Sequence, residues 1–395
     1  MFLAPEIEPV QYTPPWSDPL ANRIAALCAK RSRVAWIYGQ PDTSTFRYRV
    51  ANLVRAVNSD AAASFSAGWF SLDELPRLLP YISSLDAIVL ARVRYGSCVA
   101  HLIALARERG VELIFDCDDL VFDTRYVNLL IESLDLNASQ EVTWDNWFAY
   151  VGRMEATARQ CNRGITTNSY IAERLREVMG GRPIHIVPNY LDRNQQLVSQ
   201  RLFDAKVASA WARDASVTIG YFSGSPTHNR DFAIAAPALA RLLKRDPKVN
   251  LRVVGFLDLS GPLATYANRI EVLPLQNYIN LQHSIATVEI NIAPLQNNVF
   301  TNCKSELKFF EAAAVGSWTI ATPTFAFKSS IVDGQTGRLA QTHEWDAALD
   351  EAVNMVRDHK ALESCALDAA RQANANYDWL GVWSQEISKA VLRRL

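Results

Sequence analysis

Short apolar runs alternate with amphipathic stretches along most of the chain. A short uninterrupted apolar run is typical of a strand buried on both faces, whereas apolar residues spaced three and four positions apart indicate a helix. The predicted strands are RVAWIY (33–38), DAIVLAR (86–92), VELIFD (111–116), GITT (164–167), IHIVP (184–188), VTIGYF (217–222), NLRVVGF (250–256), RIEVLP (269–274), TVEINIAPL (287–295) and WTIAT (318–322). The predicted helices are 47–57, 98–109, 141–160, 169–179, 231–245 and 304–315, and the tail 344–395 is also expected to be helical. Strands that alternate with helices predict parallel β-α-β units and an α/β fold.

The alternation pauses once, at 192–216, where the sequence is polar and weakly patterned. We expect a linker there, because 395 residues suit two domains of ordinary size. The first domain is then predicted over 1–205 and the second over 206–377. The segment 1–16 carries four prolines and no period, which predicts an irregular arm at the start of the first domain.

Two domains of this class leave a cleft between them, which is the commonest place for a small polar ligand. In an open parallel sheet the ligand lies at the carboxyl ends of the strands. That rule selects the loops 39–46, 116–126, 223–231 and 296–305.

Two lysines and a glutamate are spaced along the predicted helix 304–315. Lys304, Lys308 and Glu311 stand at positions i, i+4 and i+7, which places them on one helical face. Such a face could hold an anion and a hydroxylated group together, as the diphosphate and ribose of a nucleotide sugar require. The alternative is a solvated face with a local Glu–Lys pair, and spacing alone does not decide between the two.

The loop GYFSGSPTHNRDF follows the predicted strand 217–222 and has the composition of a phosphate-binding turn. A glycine lets the backbone approach a ligand closely, while hydroxyls, the following helix and two basic side chains offer donors and charge. The residues with these candidate roles are Gly224, Ser225, Thr227, His228 and Arg230. A plain Gly-Ser-Pro turn with a capping Asn is the alternative.

Three carboxylates, Asp116, Asp118 and Asp119, follow the predicted strand 111–116. They could hold a divalent cation, act on an acceptor hydroxyl as a base, or cap the loop. The Asp-x-Asp pattern is common by chance, so a metal is the weakest of these interpretations, and we take Asp118 and Asp119 as catalytic and acceptor-side candidates.

Arg47 and Arg49 stand at a predicted helix start, where the helix dipole disfavours cations. This placement predicts an anionic partner on the acceptor side of the cleft, although an exposed arginine at a helix start costs little.

Composition excludes several classes of protein. The net charge of −1 gives no indication of a nucleic-acid partner. We expect neither a signal peptide in the first residues nor a membrane-spanning helix, because no apolar run is long enough. The six cysteines are widely spaced, which predicts free thiols in a reducing cytoplasm. No hydrolase motif is present, and His101 is expected to be a core histidine of its helix.

Together these motifs resemble those of the family 4 retaining glycosyltransferases, which have the GT-B fold. The resemblance covers most of the chain and is strongest over 217–337. The motifs of the second half are IGYFSGSPTHNRDF, LRVVG, INIAPLQNN, KSELKFFEAAAVGSWTIATPT and DGQTGRLA. In the first half RYRVANL, FDCDDLVF, TTNSYIAERL and VPNYLD are similar to members that act on bacterial surface polysaccharides.

The resemblance implies two Rossmann-like domains whose parallel sheets face each other across a cleft, with a final helix (378–395) that crosses back to the first domain. It implies that Glu311 binds the nucleotide ribose. It further implies that Lys304, Ser305, Arg230 and the backbone around Gly224 hold the diphosphate. The family's usual Glu-x7-Glu pattern is broken, because Cys303 stands where the first glutamate is expected.

The activity implied is transfer of a hexose or deoxyhexose from a nucleotide-diphospho-sugar to a glycan or lipid-linked saccharide, with retention and with neither a metal nor another cofactor. Lys304 and Arg230 would stabilise the leaving diphosphate. The location implied is cytoplasmic, with peripheral contact at the inner face of the membrane left open. Three alternatives remain, namely a non-catalytic nucleotide- or sugar-binding protein, an epimerase on the same scaffold, and a metal-dependent enzyme that uses Asp116 and Asp118.

Overall fold

The computed structural model describes residues 1–3, 10–42, 45–224, 229–257, 261–379 and 383–392. Two six-stranded sheets flanked by helices dominate these residues. The strands of the first sheet are β1 (Arg33–Tyr38), β2 (Ser66–Ser71), β3 (Ala87–Ala91), β4 (Glu112–Asp116), β5 (Arg163–Thr166) and β6 (Ile184–Ile186). The strands of the second sheet are β7 (Val217–Ser223), β8 (Val249–Gly255), β9 (Ile270–Leu273), β10 (Ile290–Ala293), β11 (Trp318–Ala321) and β12 (Gly337–Leu339).

The helices connect successive strands and cover the faces of both sheets. Those up to the second sheet are α1 (Leu20–Leu27), α2 (Asn52–Ser59), α3 (Leu75–Leu78), α4 (Ser97–Glu108), α5 (Val127–Ser133), α6 (Glu141–Gln160), α7 (Ser169–Val178) and α8 (Arg193–Ala208). Those that follow are α9 (Asn229–Ala233), α10 (Ala236–Arg245), α11 (Tyr278–Ala286), α12 (Val299–Asn302), α13 (Leu307–Ala313), α14 (Phe325–Ser330), α15 (Trp345–Arg357), α16 (His359–Tyr377) and α17 (Trp383–Val391). A π-helical turn, Arg47–Ala51, leads directly into α2.

The strand order is β2-β1-β3-β4-β5-β6 in the first sheet and β12-β11-β10-β7-β8-β9 in the second, and all the pairings are parallel. The chain changes its direction across the sheet between β1 and β3, and again between β7 and β10. Such a switch point opens a ligand crevice at the carboxyl ends of the strands. The two Rossmann-like domains bring these ends together, which is the GT-B fold predicted from the sequence.

Aromatic side chains hold the two domains against each other. Tyr48 of the first domain packs edge-on against Phe310 of α13, with 6.4 Å between the ring centroids. Phe310 in turn stacks on Tyr377 of α16 at 4.5 Å. All three side chains are buried in one cluster that spans both domains. This apolar interface fixes the width of the cleft.

The last helix, α17, packs on the first domain. It contacts β6 and α2, and its buried residues Ile387, Ala390 and Val391 belong to the cluster that contains the apolar side of β1. Arg163 of β5 donates to the backbone carbonyl of Ala390. The chain therefore leaves the second domain after α16 and returns to the first.

The segment 192–216, where the sequence analysis placed the linker between the domains, consists mostly of the helix α8. The Asp192 carboxylate caps this helix by accepting hydrogen bonds from the backbone N–H groups of Asn194 and Gln195. Val198 and Leu202 supply the apolar contact with α11 and its surroundings. Because the apolar face of α8 is this narrow, the sequence of the helix shows little hydrophobic period.

Phe2 and Tyr12 of the N-terminal arm lie on the second domain, although the sequence assigned the arm to the first, whereas Trp16 packs against Phe46 of the first domain with 6.3 Å between the ring centroids. The backbone N–H of Phe2 donates to the carbonyl of Thr287 at 3.0 Å, and the Phe2 ring is buried in the second core. Tyr12 packs edge-on against Tyr278 of α11 at 5.6 Å. The sequence of an aperiodic segment does not indicate which domain the segment packs on, so only the folded structure identifies that domain.

Two smaller expectations are also wrong. The predicted helix 231–245 is divided into α9 and α10. His101 is exposed, because the buried face of α4 consists of Val99, Leu102, Ile103 and Ala106 and leaves position 101 outside.

Lys206 of α8 is a buried lysine with weak partners. Its Nζ lies 3.3 Å from the carbonyl of Gly316 and 4.0 Å from the ring centre of Phe2. Burial lowers the pKa of this amine well below its ordinary value of 10.5, and Glu289 only partly opposes the shift. The unfolded chain therefore holds this proton more tightly than the folded chain does. The buried amine lowers the free energy of unfolding at pH values below its folded-state pKa, and this cost disappears as the pH rises from that pKa toward 10.5.

We expect Lys206→Met to raise the free energy of unfolding at pH 7 by about 1–3 kcal/mol, because an apolar side chain of similar length removes the cost of a buried amine. We expect the free energy of unfolding of the native chain to rise between pH 7 and 9, and the variant should lack this rise. Urea unfolding at both pH values measures this, with the exposed Lys244→Met as a control that should change neither quantity. A destabilised Lys206→Met protein would mean that the amine is a net stabilising group.

Candidate functional site

The cleft lies where the carboxyl ends of the two sheets meet. Asn189, which follows β6, donates its Nδ2 to the Oγ of Ser305, which lies between α12 and α13, at 3.1 Å. This hydrogen bond joins the two walls directly. Ser305 therefore lies in the cleft region, as the sequence suggested, but one of its contacts is with the first domain.

Asp118 and Asp119 form an acidic pair on the first-domain wall, held by Arg92 at the end of β3. The Nη2 atom of Arg92 lies 2.7 Å from Asp118 Oδ1 and 3.5 Å from Asp119 Oδ2. The backbone of Arg92 has a φ of 47°, a left-handed conformation that costs a non-glycine residue about 1–3 kcal/mol. Strain of this kind at a strand end indicates that the guanidinium is placed for function.

Asp119 faces charges from both domains. Burial raises the pKa of its carboxyl, whereas Arg92 and Lys304 of the second domain lower it. Lys304 is thus close enough to act on Asp119 across the cleft. Its Nζ lies 4.8 Å from the ring centre of Phe300, a weak contact that leaves the amine available to a ligand.

Lys304, Lys308 and Glu311 do not share one helical face, because α13 begins only at Leu307. Lys304 lies in the turn before the helix, where Glu306 adopts a non-helical conformation and accepts a hydrogen bond from Tyr377 Oη at 2.8 Å. The predicted helix start at 304 is therefore wrong. The three charges remain neighbours, since both Lys304 and Glu311 act on the pKa of Lys308.

Lys308 reaches under the end of β7. Its Nζ donates to the backbone carbonyl of Phe222 and lies 4.7 Å from the ring centre of Tyr221. Burial lowers the pKa of this amine to about 8, with Glu311 opposing the shift and Lys304 adding to it. A proton-bearing amine is therefore available beside the switch point of the second sheet near neutral pH.

Glu311 connects the two domains. Its Oε1 accepts hydrogen bonds from Tyr48 Oη, from Arg47 Nη2 at 3.3 Å and from Gln195 Nε2 at 3.1 Å. All three donors converge on Oε1, and within the described ranges no hydrogen bond to Oε2 is found. Arg47 is therefore not on an acceptor surface, because it is buried against a carboxylate of the other domain.

Arg49 is also misplaced by the sequence argument. It is fully buried and makes a two-pronged contact with Asp116, at 2.9 Å from Nε to Oδ1 and 3.1 Å from Nη2 to Oδ2. Its Nη1 donates to the carbonyl of Val187 and to Asn189 Oδ1. Neither Arg49 nor Asp116 can meet an acceptor, and the anionic partners inferred for the two arginines are carboxylates of the chain itself.

The loop after β7 is described only at its edges. Gly224 is exposed, and a Cβ added to it would meet no atom of the described residues within 4 Å. Gly255 in the neighbouring strand has a φ of 95°, and a Cβ there would come within 1.9 Å of the Ser223 carbonyl, which makes glycine necessary. Ser225, Thr227 and His228 lie outside the described residues.

Arg230 reaches from α9 to the first domain. Its Nε lies 2.6 Å from Asp135 Oδ1, and both side chains are more than two-fifths exposed, at 43% and 47%. An exposed pair of this kind contributes at most about 1 kcal/mol, so a diphosphate could compete for the arginine.

Cys303 stands where the resemblance noted in the sequence would place a first glutamate. It is fully buried in the cluster that contains Cys117 and Leu120 of the first domain. Burial raises the pKa of its thiol. No carboxylate is present at this position, and Glu306 is bound to Tyr377 instead.

The sequence reasoning missed Arg92, and also the groups that tie the walls together: Tyr48, Asn189 and Gln195. Arg92 could have been found, because it is the last residue of the predicted strand 86–92 and the strand-end rule applies there as much as to the four loops selected. The other three have no such signal, since their partners are distant in the chain.

Within the described ranges, no group of three or more His, Cys, Asp or Glu side chains is arranged to hold a metal ion. In the same residues, no helix combines the length and the apolar character that a membrane crossing requires.

No protein-family model and no curated protein matches the chain. Solved structures do resemble it. Anabaena HepE, in complex with UDP and glucose, superposes with a TM-score of 0.60 at 13% identity, covering 91% of this chain and 99% of that one. Sucrose-phosphate synthase from Thermosynechococcus elongatus superposes with a TM-score of 0.59 at 14% identity, covering 91% and 98%. A glycosyltransferase from Rickettsia africae superposes with a TM-score of 0.59 at 12% identity, covering 93% and 100%. Likeness at this identity establishes the shared two-domain fold.

Proposed function

We propose that the protein is a family 4 type glycosyltransferase that moves a sugar from a nucleotide-diphospho-sugar to a glycan or lipid-linked saccharide. The observation that carries the proposal is the contact between the two cleft walls at Asn189 and Ser305. It brings Lys304, the residue before Ser305, to the first-domain wall, where Arg92 holds Asp118 and Asp119. A fixed cation beside carboxylates at the carboxyl ends of two facing sheets suits a leaving diphosphate and an incoming hydroxyl.

The donor would lie on the second domain. Lys304 and Lys308 would bind the diphosphate, with Arg230 and the open backbone at Gly224 nearby. The ribose would hydrogen-bond to Oε2 of Glu311, because Oε1 is occupied by first-domain donors. UDP is the first nucleotide to test, since HepE has been crystallised with UDP and with UDP-glucose.

In the reaction, the bond from the anomeric carbon to the diphosphate oxygen breaks and a bond to the acceptor oxygen forms on the same face, which gives retention. Lys304 would neutralise the charge that develops on the leaving oxygen, so no metal is required. The acceptor proton would pass to that oxygen, with Asp118 and Asp119 orienting the hydroxyl. Arg92 would act as a positioning residue for both carboxylates.

The decisive experiment is calorimetric titration of the protein with UDP, GDP, ADP, CMP and dTDP, each with and without EDTA. Selective binding of one nucleoside diphosphate, unchanged by EDTA, supports the proposal and identifies the donor base. Binding that EDTA abolishes would favour a metal-dependent enzyme, and the absence of binding by all five would contradict the donor site.

A non-catalytic binding protein is the second candidate, because the buried Cys303 leaves no carboxylate at the position where the family places its sugar contact. It predicts nucleotide binding without transfer or hydrolysis of the donor. An epimerase would instead convert the donor without any acceptor. Assays of sugar transfer, donor hydrolysis and donor epimerisation, with nucleotide sugars of the base that the titration identifies, separate the three candidates. We also propose a cytoplasmic location, which is supported by the six free thiols.

Nucleotide binding should weaken as the pH rises through the pKa of Lys308, which is about 8. The protonated amine favours the diphosphate and the neutral one does not, so affinity should fall about tenfold between pH 7 and 9. Calorimetry at the two pH values measures this. The Lys308→Gln variant should bind weakly at both, and an equal fall in that variant would assign the titration to another group.

A further inference from the structure

A second cavity lies outside the cleft, beside the segments that join the two domains. Its volume is about 190 Å³, and it is bounded by α2, by residues 190–194 at the start of α8, and by Trp379 after α16. None of its lining residues belongs to the cleft walls described above.

Two arginines make this cavity positive. Arg55 and Arg193 are both exposed, and neither forms an ion pair with a carboxylate among the described residues. Arg193 is the first residue of α8, a helix of 16 residues whose amino end is itself positive. The Asp192 carboxylate, which also lines the cavity, already caps this helix end. The exposed guanidiniums of Arg55 and Arg193 are therefore the groups that suit an anionic ligand, because each can form charge-assisted hydrogen bonds with it.

The remaining walls suit a sugar ring. Trp379 is half-buried, and the Arg193 guanidinium lies 5.6 Å from its ring centre. A partly exposed indole offers an apolar face beside polar groups. Asn52 is 1% exposed and donates Nδ2 to the carbonyl of Tyr190 at 3.4 Å, while no donor to its Oδ1 is found among the described residues. A buried acceptor of this kind needs a donor, which a ligand hydroxyl or a water molecule supplies.

We propose that this cavity binds a pyranose carrying a carboxylate or a phosphate. The anion lies between Arg55 and Arg193, the ring rests on Trp379, and a hydroxyl donates to Asn52 Oδ1. The site is independent of the nucleotide site, so its test does not depend on the proposed glycosyl transfer.

The test is calorimetric titration of the full chain with glucuronate, glucose 6-phosphate, glucose and inorganic phosphate. At least one anionic sugar should bind tenfold more tightly than both glucose and phosphate, and which of the two does so identifies the anion as carboxylate or phosphate. Arg55→Gln and Arg193→Gln should each weaken that binding at least tenfold. Arg77→Gln, a change at another exposed arginine, should leave it unchanged.

Several results would overturn the proposal. One is that neither anionic sugar binds. Another is that glucose or phosphate binds as tightly as the anionic sugar does. A third is that both arginine variants bind the anionic sugar as tightly as the native protein. Saturation with UDP should leave the affinity unchanged, and displacement by UDP would place the ligand in the cleft instead. If the native protein binds the anionic sugar but does not bind UDP, that result contradicts only the proposed donor site.

Discussion

Replacing Asp116 with alanine is expected to lower the free energy of unfolding by about 3–5 kcal/mol. The change leaves the guanidinium of Arg49 in a site where both side chains are almost completely buried, at 1% and 0% exposure. Burial raises the pKa of Asp116 to about 6 in spite of Arg49, which shows how strongly this site penalises charge. Arg49 would retain only the Val187 carbonyl and Asn189 as partners.

Urea unfolding followed by circular dichroism measures the loss. The matched control is the double variant Arg49→Met/Asp116→Leu, which should recover most of the stability, because apolar residues can replace a buried ion pair at little cost. Asp118→Asn, a change of a neighbouring but partly exposed carboxylate, should cost far less. A loss below about 1 kcal/mol for Asp116→Ala would mean that Arg49 finds water or another anion.

Replacing Lys304 with methionine is expected to slow sugar transfer by a factor of about 10²–10³, which corresponds to about 2.7–4 kcal/mol of transition-state stabilisation. It should also weaken nucleoside diphosphate binding at least tenfold, or about 1.4 kcal/mol. The reason is that Lys304 acts electrostatically on Asp119 and, in the proposed site, would lie beside the reacting bond.

The folded state should tolerate this change, since among the described residues the amine has no ion pair or hydrogen bond and lies against the ring of Phe300. Lys304→Arg should retain more activity than Lys304→Met, because the charge is kept. Lys328→Met, at an exposed lysine of α14, should match the native protein. Unchanged affinity and rate in Lys304→Met would remove Lys304 from the site and leave Lys308 as the diphosphate ligand.

Two elements were predicted from local pattern with the bounds that the structure shows. The strand at 33–38 and the helix at 141–160 match β1 and α6 residue for residue. Their signals are local, since a buried strand needs an apolar run and a helix needs its own period. By contrast, β2 was missed because four of the six residues in its sequence, SAGWFS, are small or polar, although every residue is buried.

Element boundaries near the site depended on distant contacts. The late start of α13 accompanies the hydrogen bond between Glu306 and Tyr377, which are 71 positions apart. The partners of Arg47 and Arg49 are 264 and 67 positions away. No window of sequence contains both members of such pairs.

The sequence alone therefore determined the α/β class and the presence of two α/β units, because the hydrophobic period of each strand and helix is expressed locally. The loops selected for a ligand stay a prediction. Only the tertiary structure decided which charges are available for chemistry. It buried Arg47, Arg49 and Asp116 as paired groups, and it placed Arg92 beside Asp118 and Asp119 and opposite Lys304. The physical reason is that a charge in a folded protein is defined by its desolvation and its partner, and both are set by residues far away in the chain.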